Sequence, residues 1–105
     1  MALIDVAPVD EFPPGSVKIV RAGSVAVGVF RLPDDRYCAI EDRCSHDDGP
    51  LAEGDYDLEE GVVICPRHGS RFDICSGRPL SLPAYEPVET FPIVIEDGWV
   101  KVDVT

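Results

Sequence analysis

Apolar and β-branched residues run along this chain in short bursts broken by turn formers, with little of the three-to-four spacing of a helix face. Residues 17–20, 25–32, 36–40, 62–64, 71–74, 90–96 and 99–104 are rich in Val, Ile, Phe, Tyr and Trp, and each reads as a strand. Arg21-Ala22-Gly23, Pro33-Asp34-Asp35 and Asp97-Gly98 can each reverse the chain; the last is the signal for a two-residue type I′ hairpin. Ten prolines and nine glycines work against long helices, because proline removes a backbone donor and glycine costs backbone entropy. The pattern predicts an all-β, antiparallel domain. A stretch from about 42 to 83 differs in texture: it is loop-rich and reads as a subdomain inserted between strands of a β-sandwich base. With 105 residues and no internal repeat or low-complexity linker, the expectation is one domain spanning 1–105.

Charge narrows the partners. Twenty acidic against nine basic residues give a net charge of -11, which repels nucleic acid and anionic membrane surfaces and favours basic partners. Hydrophobic residues at 45% argue against disorder, and no apolar run is long enough to span a bilayer. The first ten residues lack a basic segment followed by a long apolar one, so the expected location is cytoplasmic. A reducing cytosol keeps thiols available for metals or catalysis, so the four cysteines are not read as a disulfide framework.

The chemistry lies where cysteine and histidine come together. Cys44-Ser45-His46 is followed by Cys65-Pro66-Arg67-His68, so each of two loops offers one thiolate and one imidazole. Two cysteines and two histidines can form a tetrahedral zinc shell, but zinc modules usually group the cysteines in one knuckle and the histidines in another. A Rieske-type [2Fe-2S] cluster instead gives two thiolates to one iron and two imidazoles to the other, a division that two mixed loops facing each other can supply. With two neutral imidazoles the oxidised centre carries no formal net charge, whereas four thiolates make it a dianion. Adding an electron is therefore easier, and such centres lie at roughly −150 to +300 mV against about −400 mV for plant-type all-cysteine ferredoxins.

These segments, with Gly49-Pro50-Leu51 after the first loop, Gly69 closing the second and a later Leu82-Pro83-Ala84, resemble the Rieske family along essentially the whole chain. The resemblance is greater to its soluble ferredoxin branch, which feeds aromatic-ring-hydroxylating dioxygenases. It implies one [2Fe-2S] cluster held by Cys44, His46, Cys65 and His68. High-potential members in cytochrome bc complexes carry an extra cysteine in each ligand loop, joined as a disulfide; Gly49 and Arg67 stand at those positions here. Those members also place a serine and a tyrosine hydroxyl near the cluster. Ser70 matches the serine and Phe72 replaces the tyrosine, which implies a potential towards the low end of the range.

The other residues carry more modest expectations. Gly49, Gly54, Gly69 and Gly77 serve turns and let backbone N–H groups approach sulfur. Leu51 and Pro83, with Pro50 and Leu82 beside them, are expected to form an apolar wall that limits water access. Cys38 and Cys75 are taken as packing residues, with Cys38 on the strand face of Ile40; a disulfide between them is set aside on the compartment argument. Asp47, Asp48, Glu53, Asp55, Asp57, Glu59 and Glu60 come with no Lys or Arg among them, and serve as a solvated edge, a docking surface or both.

Both histidines are spoken for as ligands, leaving none for a 2-His-1-carboxylate iron site, a triad or a general base, and no dinucleotide fingerprint is present. The expected role is that of a monomeric electron carrier and not an enzyme: it takes single electrons from a reductase and docks transiently on an acceptor such as a terminal oxygenase. A housekeeping ferredoxin beside iron-sulfur assembly, the small subunit of a nitrite-reductase-like enzyme and a structural zinc-binding module are the alternatives.

Overall fold

A computed structural model describes residues 3–23, 25–43, 55–65, 69–81 and 86–104, with backbone alone for Ala22 and Asp55. Among the described residues ten strands, all paired antiparallel, form three sheets: β1 (Leu3–Pro8), β2 (Val17–Ala22), β3 (Val25–Arg31), β4 (Tyr37–Glu41), β5 (Asp55–Asp57), β6 (Val62–Ile64), β7 (Arg71–Asp73), β8 (Thr90–Phe91), β9 (Ile93–Glu96) and β10 (Trp99–Asp103). The strand orders are β1-β10-β9, β2-β3-β4-β8 and β5-β6-β7. Among the described residues the sole helical element is a 3-10 turn, Val9–Glu11.

The four-stranded sheet is the middle layer, and its sequence says why. Neighbouring β3 and β4 are apolar on both faces. Val27, Val29 and Ala39 pack with Val6, Phe12, Val100 and Val102, towards the sheet of β1, β10 and β9. Phe30 and Ile40 pack with Val63, Phe72 and Ile74, towards the sheet of β5, β6 and β7. Cross-strand register agrees, since Val29 faces Ala39 while Phe30 faces Cys38 and Gly28 faces Ile40. A strand buried on both faces reads as a continuous apolar run, as β3 does. The first pair of layers is the expected β-sandwich base, and the third sheet lies within 42–83.

Several strand boundaries differ from the sequence expectation. β1 went unread because a bulge breaks its alternation: register jumps between Asp5 and Ala7, so that Val6 and Ala7 are both buried. β5 was read as part of an acidic run, and it is an edge strand whose Tyr56 meets Phe30 edge-on at 5.6 Å. The single strand expected at 90–96 is two. Pro92 cannot donate to a ladder, so the chain leaves the middle sheet after Phe91 and joins β10 from Ile93 onward. β2 continues to Ala22, so the reversal falls after it rather than at Arg21. The Asp97-Gly98 turn has positive φ at both residues (54° and 76°), as a type I′ hairpin requires.

Cys38 and Cys75 are joined by a disulfide, with their Cα atoms 5.0 Å apart. They also pack against the Phe30–Phe72 core, so the packing role holds, and the disulfide that the compartment argument disfavoured is present. Cys38 lies on the Ile40 face, which turns out to be the one that meets the third sheet. Closing a 37-residue separation this way is worth about 3–4 kcal/mol in the chain-entropy account.

A second anchor lies two residues on. Gly77 (φ 73°) accepts from Val88 N–H at 2.9 Å, and its own N–H donates to the Asp73 carbonyl at 2.8 Å. A Cβ at Gly77 would run into the Val88 carbonyl oxygen and lie 3.2 Å from Thr90 Cγ2. Gly77→Ala is expected to cost about 2–4 kcal/mol in urea unfolding, against about 1–2 kcal/mol for Gly23→Ala, where positive φ is the sole penalty. Equal losses at the two positions would show that this close approach does not anchor the third sheet.

Candidate metal centre

Cys65, which opens the second cysteine-histidine segment, directly follows β6, and β7 pairs with β6 on the far side of that segment. Val63 and Phe72 are directly paired and fully buried, and Ile64 pairs with Arg71. Beyond them the Cys65 N–H donates to the Ser70 carbonyl at 2.8 Å, and the Gly69 N–H donates to the Cys65 carbonyl at 3.0 Å. Gly69 takes φ 72° in open space, which lets the backbone turn there without a Cβ penalty. Strand parity continues the buried face from Val63 to Cys65 and from Phe72 to Ser70. Both are shut off from solvent, Cys65 at 1% and Ser70 at 0% exposure.

Burial of Ser70 is informative. It is the one fully buried polar side chain among the described residues, and a hydroxyl withdrawn from water costs free energy unless hydrogen-bonded. Cys65 and Ser70, paired through the backbone at the end of the hairpin, thus continue the buried face of Val63 and Phe72, a setting whose residue types suit a thiolate ligand.

After β7 the chain turns and runs back along it. The Asp73 carboxylate accepts from Ser76 N–H at 2.8 Å, Asp73 N–H donates to Arg78 O at 2.8 Å, and Pro79 bridges Phe72. Leu80 N–H then donates to Arg71 O at 2.6 Å and Arg71 N–H to Ser81 Oγ at 3.0 Å. Ser81 is thus held beside the first residue of β7, one step from Ser70. The other ligand segment follows β4, whose end is fixed by Glu41 N–H to Glu89 O and Asp42 N–H to Ala26 O, each 2.8 Å. Glu41 there pairs with Arg43 Nε at 3.4 Å.

Of the expected site residues, Cys65, Gly69, Ser70 and Phe72 are thereby brought together. Cys44, His46, His68, Leu51 and Pro83 lie outside the described residues, as do Gly49, Gly54, Pro50, Leu82, Arg67, Asp47, Asp48 and Glu53. Glu59 and Glu60 are exposed, and Asp57 accepts from Glu60 N–H at 3.2 Å in the turn that follows edge strand β5.

A family model for the Rieske [2Fe-2S] domain matches residues 2–92. The chain belongs to this family. It carries the site of an iron-sulfur cluster of Rieske type. It is 42% identical over 96 residues to the anthranilate 1,2-dioxygenase ferredoxin subunit of Burkholderia cepacia, covering 91% of this chain and 86% of the relative. To the 3-phenylpropionate/cinnamic acid dioxygenase ferredoxin subunit of Photorhabdus laumondii it is 33% identical over 105 residues, which is 100% of this Rieske chain and 97% of the relative. Among solved structures it superimposes with a TM-score of 0.85 and 34% identity on a chain from the complex of reduced oxygenase and oxidised ferredoxin of carbazole 1,9a-dioxygenase, covering 95% and 91% of the two chains.

Sequence reasoning disfavoured the Cys38–Cys75 bond on the compartment argument and did not find the Tyr56–Phe30 contact. Strand parity had put Cys38 on the correct face. What it lacked was the third sheet, which brings Cys75 beneath that face.

Proposed function

We propose that this chain is a Rieske-type ferredoxin that carries single electrons from a reductase to a terminal oxygenase, with Cys44, His46, Cys65 and His68 holding one [2Fe-2S] cluster. The observation that carries this reading is the end-to-end likeness to dioxygenase ferredoxin subunits, 33% identical over 105 residues with 97% of the relative spanned. When bound, the cluster accepts and releases one electron. The chain itself supplies a buried thiol at Cys65, a hydroxyl beside it at Ser70 and an apolar wall at Phe72. With both histidines engaged as ligands, neither is left to serve in a triad or as a general base, which supports an electron carrier and not an enzyme.

The net charge of -11 and the acidic edge at Asp57, Glu59 and Glu60 support docking on basic partner surfaces by a small, transient interface. The same charge fits a monomer in the cytoplasm that repels its own copies. In this reading Leu51 and Pro83 would limit water access to the cluster, and His46 and His68 would be the ligands presented to a partner.

Anaerobically purified protein is expected to be coloured, to contain about two irons and two acid-labile sulfides per chain, and to give a rhombic EPR signal on reduction. Colourless protein holding zinc overturns the reading in favour of a structural zinc module. Reduction of a basic acceptor is expected to slow as ionic strength rises from about 0.01 to about 0.5 M, because screening removes the steering. Salt-independent rates would remove the docking role of the acidic edge.

Ser70→Ala is expected to lower the reduction potential, because a donor towards cluster sulfur stabilises the more negative reduced state. Phe72→Tyr is expected to raise it. Each shift should be about 60–130 mV, from about 1.5–3 kcal/mol for a hydrogen bond to a charged group and 59 mV per tenfold in a one-electron couple. Protein-film voltammetry measures both, and unchanged potentials in the two variants would refute the tuning role.

A further inference from the structure

The disulfide closes a covalent ring from Cys38 to Cys75, and Cys44, His46, Cys65 and His68 all lie inside it. One end of the ring sits in β4 of the middle layer. The other lies two residues past β7, the strand that begins at Ser70's neighbour Arg71. The bond thus fastens the hairpin bearing Cys65 to the sheet from which the first ligand segment departs. Both cysteines are only partly buried, so neither residue is shut off from solvent, and exchange requires a reductant thiolate to reach the bond. Two other attachments, Gly77 to Val88 and Tyr56 against Phe30, remain when the bond opens. Opening therefore loosens the third sheet without detaching it.

We propose that Cys38–Cys75 is a redox-sensitive staple whose reduction by a dithiol protein of the thioredoxin class shortens the lifetime of the cluster. The proposal rests on the cluster reading above. In the exchange a reductant thiolate attacks one sulfur, giving a mixed disulfide, and the second reductant thiol displaces it. The Cys38–Cys75 bond breaks, a disulfide forms in the reductant, and two electrons and two protons pass to the cysteines. Disulfides in reducing compartments are characteristically transient and redox-sensing.

The test uses the full-length holoprotein in three forms: oxidised wild type, wild type treated with a dithiol and then freed of it, and Cys38→Ser/Cys75→Ser. Non-reducing peptide mapping should find the Cys38–Cys75 bond in the first form alone. Bleaching of the visible absorbance under an iron chelator is expected to be roughly tenfold faster in the other two, with far-UV circular dichroism unchanged. Equal bleaching rates in all three forms, or no bond in the first, would overturn the staple. The apoprotein separates this outcome from failure of the cluster reading. Its oxidised form should unfold roughly 8 °C or more above the serine variant and protect the amides of β6 and β7 better from hydrogen exchange. Should the purified chain bind no cluster, those two readouts still decide whether the bond restrains the third sheet, while equal values in both apo forms sink the proposal. If the serine variant fails to fold, the dithiol-treated wild type supplies the same comparison.

Discussion

The constraint on which this molecule depends is the burial of one sheet on both faces. β3 and β4 send Val27, Val29 and Ala39 to one side and Phe30, Ile40 and Cys38 to the other, with no exposed face left on that pair. The first set makes a sandwich with β1, β9 and β10. The second makes a platform, and the sheet that carries Cys65 can bury its own apolar face only there. Three short strands of three residues each could not stand alone, since a sheet of that size needs a partner surface to be stable. The hairpin that bears Cys65 is therefore held by the same residues that close the core.

The division of labour explains what could be read in advance. Strands with strong β-branched runs, such as Val25–Arg31 and Trp99–Asp103, announce themselves, and so does Asp97-Gly98, because its turn type demands positive φ. The misses share a cause in tertiary structure. A bulge hides the alternation of Leu3–Pro8, an acidic sequence disguises edge strand β5, and Pro92 moves a strand between sheets without interrupting its apolar character. Cys38–Cys75 is the same kind of miss. Parity gives the face a cysteine uses, but the neighbour on that face belongs to a sheet that local pattern does not place.

The candidate site was more legible than the packing beneath it. Ligand chemistry is written in residue types and short spacings, so Cys44-Ser45-His46 and Cys65-Pro66-Arg67-His68 stand out in the sequence. What the structure adds is a reason for Ser70. A serine at the end of a hairpin is ordinarily a surface residue, and here it is shut away beside a buried thiol. Nothing in the local sequence marks that burial; it follows from the register that puts Val63 opposite Phe72 and so brings Cys65 and Ser70 onto the face turned towards Phe30.

Phe72 shows how packing and tuning pull against each other at one position. Its ring is fully buried in the Phe30–Ile74 core, where an added hydroxyl would need a hydrogen-bond partner to offset its desolvation. In an apolar surrounding the phenylalanine is the more stabilising residue, and it gives up a donor that would favour the reduced cofactor. A carrier has to be reducible by its donor and oxidisable by its acceptor, so a higher potential is no advantage in itself. The buried ring is thus consistent with a chain in which anchoring the hairpin outweighed raising the potential, while Ser70 keeps one polar group at the same tip. The acidic exterior acts elsewhere: it adds nothing to the core, and in the proposed role it disfavours like-charged surfaces and favours basic ones.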